Sequence, residues 1–250
     1  MTESTTHFGH RTVKSADKQG LVDEVFHNVA DRYDVMNDFM SFGTHRLFKR
    51  MVIQSSGVRP GHMVLDLAGG TGDMSALFAK EVGPTGRVVL TDLNAEMMGV
   101  GQDRLYNHGH ANVALCRSPA EALPFADESF DVACISFGIR NFTDKEGALV
   151  ELLRVLKPGA PLLVLEFSTP KDPLLKGAYK VFQSLWPLAG QAVVGDAESY
   201  RYLIESIEVH PDQKALKQMF SDAGFTEVEY HDLIGGVAAI HRGVKPVASL

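Results

Sequence analysis

The chain has 250 residues and a mass of 27.3 kDa, with 45% hydrophobic and 22% charged residues, a globular balance that excludes a disordered or membrane-embedded protein. Its formal charge of −7 disfavours a non-specific polyanion binder, which needs a basic surface, so no nucleic-acid partner is expected. Cys116 and Cys134 lie in or near apolar stretches, outside any CxxC pair or zinc spacing, and read as reduced thiols buried as small hydrophobes.

The start, MTESTTHFGHRTVKSADK, is polar and of mixed charge, without the apolar core of a signal peptide, and no run of 18 apolar residues follows. A cytoplasmic protein that can touch a membrane peripherally is therefore expected. Residues 1–20 read as a flexible tail and 21–250 as one domain. Within it, 21–60 form an N-terminal helical lid, because Val25, Phe26, Val29, Ala30, Tyr33, Met36, Phe39 and Met40 recur at helical spacing.

From Met63 a cycle of strand, turn and helix begins. Met63–Leu67 is a short apolar run ending near Asp66, Gly69-Gly70-Thr71-Gly72 is a tight turn, and Asp73–Glu81 is helical. Arg87–Asp92 is the next strand and Ala95–His108 its helix. A strand near Val113–Cys116 and a short helix around Ala120–Leu123 follow. Phe130–Ser136 is then a strand, Lys145–Val155 a helix, and Pro161–Glu166 a further strand after the Pro158-Gly159 break. Residues 171–209 read as a helical insertion, Asp212–Ala223 as a helix, and Thr226–Asp232 with Gly236–Arg242 as a terminal hairpin around a Gly-Gly turn. Strands alternating with helices predict an α/β fold, a parallel sheet covered on both faces. Such sheets bind ligands beyond the carboxyl ends of the strands, where Asp66, Asp92, Ser136 and Glu166 fall.

A glycine turn after the first of these strands, with Asp92 placed 20 positions after Gly72 to accept from ribose hydroxyls, suits a nucleoside cofactor. The dinucleotide fingerprint is incomplete, because Ser75 stands where its third glycine would be. No Gly-Lys-Ser/Thr follows either, which rules out a P-loop. Asp66 before the turn and Asp73 after it are poor company for phosphates and good company for the sulfonium and ammonium groups of S-adenosylmethionine. No metal-ligand cluster is seen, and none is expected.

On these motifs the chain resembles class I S-adenosylmethionine methyltransferases. More narrowly, it resembles the ubiquinone/menaquinone biosynthesis C-methyltransferase family, from Thr6 onward. The carrying stretches are VFHNVADRYDVMNDFMSFGTHRLFKR at 25–50, VLDLAGGTGD at 64–73, ISFGIRNFTD at 135–144, RVLKPGAPLLVLEFS at 154–168 and SYRYLIESIEVHPDQ at 199–213. The resemblance implies a Rossmann-like, mostly parallel seven-stranded sheet ending in an antiparallel hairpin. It also implies methylation of a polyprenylated benzoquinol or naphthoquinol ring carbon by S-adenosylmethionine.

By the same resemblance Gly70, Thr71 and Gly72 hold the amino-acid part of the donor and Asp92 takes the ribose. Pro119 and Ala120 flank the adenine, and Ser136 lies below the methionine portion. Pro119 stands where the family often has Asn, which removes an N–H there. Ala68 stands where the wider superfamily prefers Gly. Arg140 and Asn141, after the fourth of these strands, are candidates to stabilise a developing phenolate and orient the ring. For Arg140 the alternative is a surface ion pair with Asp144 or Glu146. Tyr33 in the lid is a candidate quinol contact or plain packing, and His45 and His27 are either proton relays or ordinary packed histidines. Glu166 faces the site or satisfies nearby backbone donors, and His210 simply begins a helix. The lid and the insertion form either a channel for the prenyl tail or ordinary core and dimer contacts, which leaves room for a homodimer or a quinone-biosynthesis complex. Two other readings stay open: methylation of O or N on another small molecule, and a non-catalytic scaffold in a quinone-synthesis assembly.

Overall fold

The computed structural model describes residues 4–29, 37–38, 40–41, 43–193 and 195–247. The expected tail over 1–20 is replaced, from Thr5, by ordered structure. Thr5–Phe8 (β1) and Arg11–Lys14 (β2) pair as an antiparallel hairpin, and Ser15–Val29 (α1) follows without a break. Phe8 is the reason. It is buried with Val22 and Tyr202, stacked on the Tyr202 ring at 4.4 Å, with the Arg11 guanidinium 4.9 Å from the Phe8 centroid. These anchors are too far apart in sequence to give a periodic signal. The helix His45–Ser55 (α2) leads into the sheet.

The seven-stranded sheet holds Met63–Leu67 (β3), Arg87–Asp92 (β4), Val113–Arg117 (β5), Val132–Ser136 (β6), Pro161–Phe167 (β7), Thr226–Leu233 (β8) and Ala238–Val244 (β9), in the order β5-β4-β3-β6-β7-β9-β8. The pairings β3·β4, β4·β5, β3·β6 and β6·β7 are parallel, and β9 is antiparallel to both β7 and β8. Strand order therefore reverses between β3 and β6, which opens a crevice beyond their carboxyl ends. Alternation along the strands assigns the two faces of the sheet. Val64, Leu163 and Leu165 join one core with Phe78, Trp186 and Tyr200, while Leu65, Leu162 and Val164 join another with Leu149, Leu152 and Phe220.

Further α-helices among the described residues are Asp73–Val82 (α3), Ala95–Asn107 (α4), Lys145–Val155 (α5), Pro173–Ser184 (α6), Trp186–Val193 (α7), Glu198–Val209 (α8) and Gln213–Asp222 (α9). The helices α6, α7 and α8 fall within residues 171–209. The short helix expected at Ala120–Leu123 is a turn instead. Pro124 follows it and disfavours helical backbone at Leu123, whose N–H is taken by Glu151 Oε2 at 2.9 Å. Cys134 is buried in the core, but Cys116 is only half-buried, and burial raises both thiols above the usual thiol range.

The glycine turn owes its tightness to two contacts. Gly70 and Gly72 have φ of +52° and +81°, the left-handed region that disfavours a side chain. Helix α4 crosses so close above that a Cβ on Gly101 would fall 2.8 Å from the Gly70 carbonyl oxygen. Ser75, where the dinucleotide fingerprint has its third glycine, is fully buried and donates to Asp66 Oδ2 at 2.6 Å, tying α3 to the end of β3. Gly101→Val is expected to push the turn away from α4 and to weaken at least tenfold the binding of the S-adenosylmethionine that the resemblance implies, read by calorimetric titration. Unchanged affinity would show that the turn does not depend on this approach.

Candidate active site

The crevice contains a pocket whose empty space is about 740 Å3, open solvent at its mouth included. Its floor is Leu67, Ala68 and Gly70 after β3, and one side is Asp92, Leu93 and Asn94 after β4. Ser118, Pro119, Ala120 and Glu121 after β5 form the next side. The segment Phe137–Thr143 contributes Phe137, Gly138, Asn141, Phe142 and Thr143 from beyond β6. Gln19, Val22, Asp23 and Phe26 of α1 close it from above.

Of the residues expected from sequence, Gly70, Asp92, Pro119, Ala120 and Asn141 meet at this pocket. Asp92 Oδ2 accepts from Gly70 N and Oδ1 from Asn94 N, each at 2.9 Å. Each oxygen keeps a further lone pair for a ligand hydroxyl. Burial raises the Asp92 carboxyl above its ordinary range, and the backbone donors of Asn94 and Gly70 oppose that.

Asp66, Thr71, Gly72, Ser136 and Arg140 are not on the pocket wall. Asp66 lies under the turn, where a Cβ on Gly69 would meet its Oδ2 at 3.0 Å. Thr71 is buried, with Arg104 Nη1 3.4 Å from its hydroxyl. Gly72 caps α3, and a Cβ there would meet Leu105 at 3.0 Å. The Ser136 hydroxyl is buried without a partner among the described residues.

Arg140 forms neither of the ion pairs considered on the surface. Its side chain and that of Glu166 are each 2% exposed, with Nη1 2.7 Å from Glu166 Oε1. Nη1 also donates to the Phe137 carbonyl, and Glu166 Oε2 accepts from the Arg140 N–H. Glu166 Oε1 further accepts from Phe167 N at 2.9 Å, so Glu166 serves local backbone donors. Sequence reasoning missed this pair because its partners are 26 positions apart.

Tyr33 lies outside the described residues, as does the side chain of His27. His45 is buried at the start of α2 with its ring 2.8 Å from the Ser41 hydroxyl, and it does not line the pocket. His210 follows the end of α8 and precedes Pro211, and burial holds it well below the usual histidine range.

The acidic surroundings expected from sequence are present, but on other residues. Asp73 does not line the pocket, and its charge is paired with Lys49 and Arg104 at 3.0 and 2.7 Å. The charged groups on the wall are Asp23, Asp92 and Glu121, and no Lys or Arg is among the described lining residues. An anionic ligand would meet only repulsion here, and a cationic one finds attraction. Gln19 falls inside the supposed tail, whereas Val22, Asp23 and Phe26 fall in the segment 21–60 read as a helical lid. The detectable signal was Gln19–Asp23, a helical (i, i+4) pair whose side chains bond at 3.0 Å, with Asn94 Nδ2 3.3 Å from the same Asp23 oxygen.

The model of the ubiE/COQ5 methyltransferase family matches residues 12–245. The chain belongs to that family. It is 57% identical to the ubiquinone/menaquinone biosynthesis C-methyltransferase UbiE of Ectopseudomonas mendocina, over 98% of this chain and 96% of that one. It is 54% identical to UbiE of Cellvibrio japonicus, over 98% of this chain and 99% of the other. Among solved structures, a SAM-dependent methyltransferase from Aquifex aeolicus shares the fold with a TM-score of 0.58 at 19% identity, covering 93% of this chain and 98% of that one. The putative methyltransferase bound to the Haloferax volcanii Trm112 activator does so with a TM-score of 0.67 at 17% identity, covering 92% of this chain and 99% of that one.

The chain is accordingly a SAM-dependent methyltransferase, and its pocket fits the donor. A Cβ on Gly70 would fill the cradle, 3.2 Å from Met97 Cε and 4.0 Å from Asp92 Oδ2. The three wall carboxylates match a ligand that carries a sulfonium and an ammonium.

Burial raises the Asp66 carboxyl to about 7 from 3.8, against the opposing hydrogen bond from Ser75. Between those two values the folded chain holds a proton that the unfolded chain has lost, so Asp66 costs stability as pH rises through about 7. Asp66→Asn, whose amide oxygen can still accept from Ser75, is expected to raise the melting temperature of the donor-free protein. The gain should be several degrees at pH 8 and clearly smaller at pH 5. A gain independent of pH would remove the protonation argument.

Proposed function

We infer that this methyltransferase transfers the methyl group of S-adenosylmethionine to a ring carbon of a polyprenylated quinol. The acceptor is demethylmenaquinol or 2-polyprenyl-6-methoxy-1,4-benzoquinol, in menaquinone or ubiquinone biosynthesis. The observation that carries the reading is one pocket lined by the carboxylates Asp23, Asp92 and Glu121, the aromatic rings of Phe26, Phe137 and Phe142, and the side-chain amides Gln19, Asn94 and Asn141, of which Asn141 is next to Phe142 in the chain. The full-length similarity to proteins named for this C-methylation supports the same acceptor class.

The bound donor supplies an electrophilic methyl group. Asp92 accepts hydrogen bonds from hydroxyls, Pro119 and Ala120 offer a flat apolar edge, and the phenylalanines hold a planar ring and exclude water. Fixing two reactants in line in this way contributes up to about 7–11 kcal/mol in ideal cases. Methylation at carbon needs electron density at the ring, which rises as an ortho hydroxyl loses its proton. Asn141 donates to that oxygen as negative charge grows. Arg140 acts at one remove: its bonds to Glu166 and the Phe137 carbonyl hold the Ile139–Asn141 turn that presents Asn141.

No helix among the described residues is long and apolar enough to cross a membrane. The reading adds peripheral contact with the bilayer in which long-chain quinols dissolve, from a cytoplasmic location. Leu174, Val181, Leu185 and Leu188 are 84%, 67%, 50% and 70% exposed along α6 and α7. Lys176 and Lys180 flank them, and no Asp or Glu occurs from residue 173 to 195 in a chain of net charge −7. That local balance suits an anionic lipid surface.

Two experiments test these assignments. Labelled S-adenosylmethionine with short-tail demethylmenaquinol or methoxybenzoquinol is expected to give a carbon-methylated product. Asn141→Ala should slow it about 100-fold while donor affinity stays within a few-fold. Transfer to oxygen or nitrogen, or to neither quinol, would overturn the acceptor, and failure to bind donor would leave only the scaffold. Arg140→Ala is a poor substitute, because it strands Glu166 as an unpaired buried charge, at a cost of about 3–5 kcal/mol. In sedimentation with vesicles, phosphatidylglycerol-containing bilayers should retain the protein more than pure phosphatidylcholine, and Val181→Asp should abolish the difference. Equal retention on both, or self-association that hides this face, would remove the membrane contact.

A further inference from the structure

Asn141 has a bonding partner on the side away from the reaction. The Tyr202 hydroxyl, on α8, donates to Asn141 Oδ1 at 2.9 Å. A primary amide offers an acceptor at one end and donors at the other, and a half-turn about its last bond exchanges them. With the oxygen engaged by Tyr202, the Asn141 nitrogen is the end left for the pocket that this residue lines; a reversed amide could donate to the hydroxyl oxygen, but it would take from the Tyr202 O–H the acceptor it has among the described residues. The reversed amide would turn a carbonyl oxygen toward the acceptor, which repels a phenolate instead of stabilising it.

We propose that Tyr202 is a positioning residue that fixes the Asn141 amide with its nitrogen toward the acceptor, so that it donates to the ring oxygen on which charge develops. This rests on the quinol-methylation reading above. Two features of the fold equip Tyr202 for the task. Its ring is 5% exposed and stacked against Phe8 of β1 at 4.4 Å and 23°, so the hydroxyl has little freedom to wander. Burial pushes the phenol up to about 12, against the Arg140 charge that opposes it, so it keeps its proton and remains a donor at neutral pH. The N-terminal hairpin acquires a purpose by the same chain of contacts: Phe8 holds Tyr202, and Tyr202 holds Asn141.

Tyr202→Phe keeps the stacked ring and removes only the hydroxyl. It is expected to lower kcat at least tenfold, with KM for the quinol and donor affinity within twofold of the parent and a melting temperature nearly unchanged. Added to Asn141→Ala, it should slow the reaction no further, because both changes remove one function. An unchanged kcat, losses that multiply in the double variant, or parallel loss of kcat, KM and melting temperature would each overturn the proposal. A parent inactive on both quinols would instead sink the acceptor assignment. The proposal then stands or falls on the side-chain amide resonances of Asn141 in 15N-labelled protein, identified by their loss in Asn141→Ala. They should shift in Tyr202→Phe, and resonances that do not move would exclude the contact.

Discussion

The site depends on two adjacent parallel strands turning away from each other at their carboxyl ends. Where β3 and β6 end, the residues that make the turns are Ala68 and Phe137, with φ of +56° and +57°. Left-handed backbone at a residue with a side chain costs about 1–2 kcal/mol. It persists only where the surroundings enforce it, and such strain collects at functional sites. Here the enforcement is close packing between the turns, since a Cβ on Gly138 would fall 2.6 Å from the Ala68 Cβ. Both strained residues line the pocket, so the bend that opens the crevice also forms its surface.

The second constraint is the buried Arg140–Glu166 pair. Two charges removed from water are stable only with good geometry and further hydrogen bonds. Both carry them: Arg140 to the Phe137 carbonyl, and Glu166 from the N–H groups of Arg140 and Phe167. The pair thereby locks the turn after β6 to the end of β7, and Asn141 is the next residue on that turn. A motif that reads in sequence as two candidate active-site side chains divides its labour. One is a charged brace turned inward, and the other is a neutral amide facing the pocket.

The sheet was legible because its strands are continuous apolar runs ending at turn residues, and because the order of strand and helix permits few topologies. Glycines and carboxylates at the strand ends marked the crevice, and Asp92, Pro119, Ala120 and Asn141 meet there. Asp66, Thr71 and Gly72 carry the same motif yet build the turn from below, since a sequence pattern does not say which side of a turn each residue takes. The α1 helix was legible in part: its residues from Leu21 onward fall in the segment read as a helical lid, while its start was read as tail for a physical reason. Its inward face includes Lys18, 2% exposed, with Nζ donating to the Phe142 carbonyl at 2.8 Å, so a buried position reads as polar. The β1–β2 hairpin is short and mostly polar, and its single buried aromatic, Phe8, finds its partner at Tyr202, almost 200 positions away.

That distance in sequence clarifies the arrangement of the acceptor end. Apart from Asp23 of α1, the donor end is built from neighbours along the strands, each turn placing its own carboxylate or glycine. The acceptor end draws on the N-terminal hairpin and α1, the turn after β6, and α8, which are joined through Phe8, Tyr202 and Asn141. Segments so far apart in sequence meet through tertiary packing, so the group proposed to stabilise a transient phenolate is oriented by packing and not by its neighbours along the chain. In a fold whose donor site can be kept while acceptors change, such tertiary positioning is where one acceptor chemistry is distinguished from another. The hydrogen bond that sets which end of an amide faces a ring oxygen is a small structural difference. It decides whether the wall beside the aromatic residues favours or opposes the charge that carbon methylation requires.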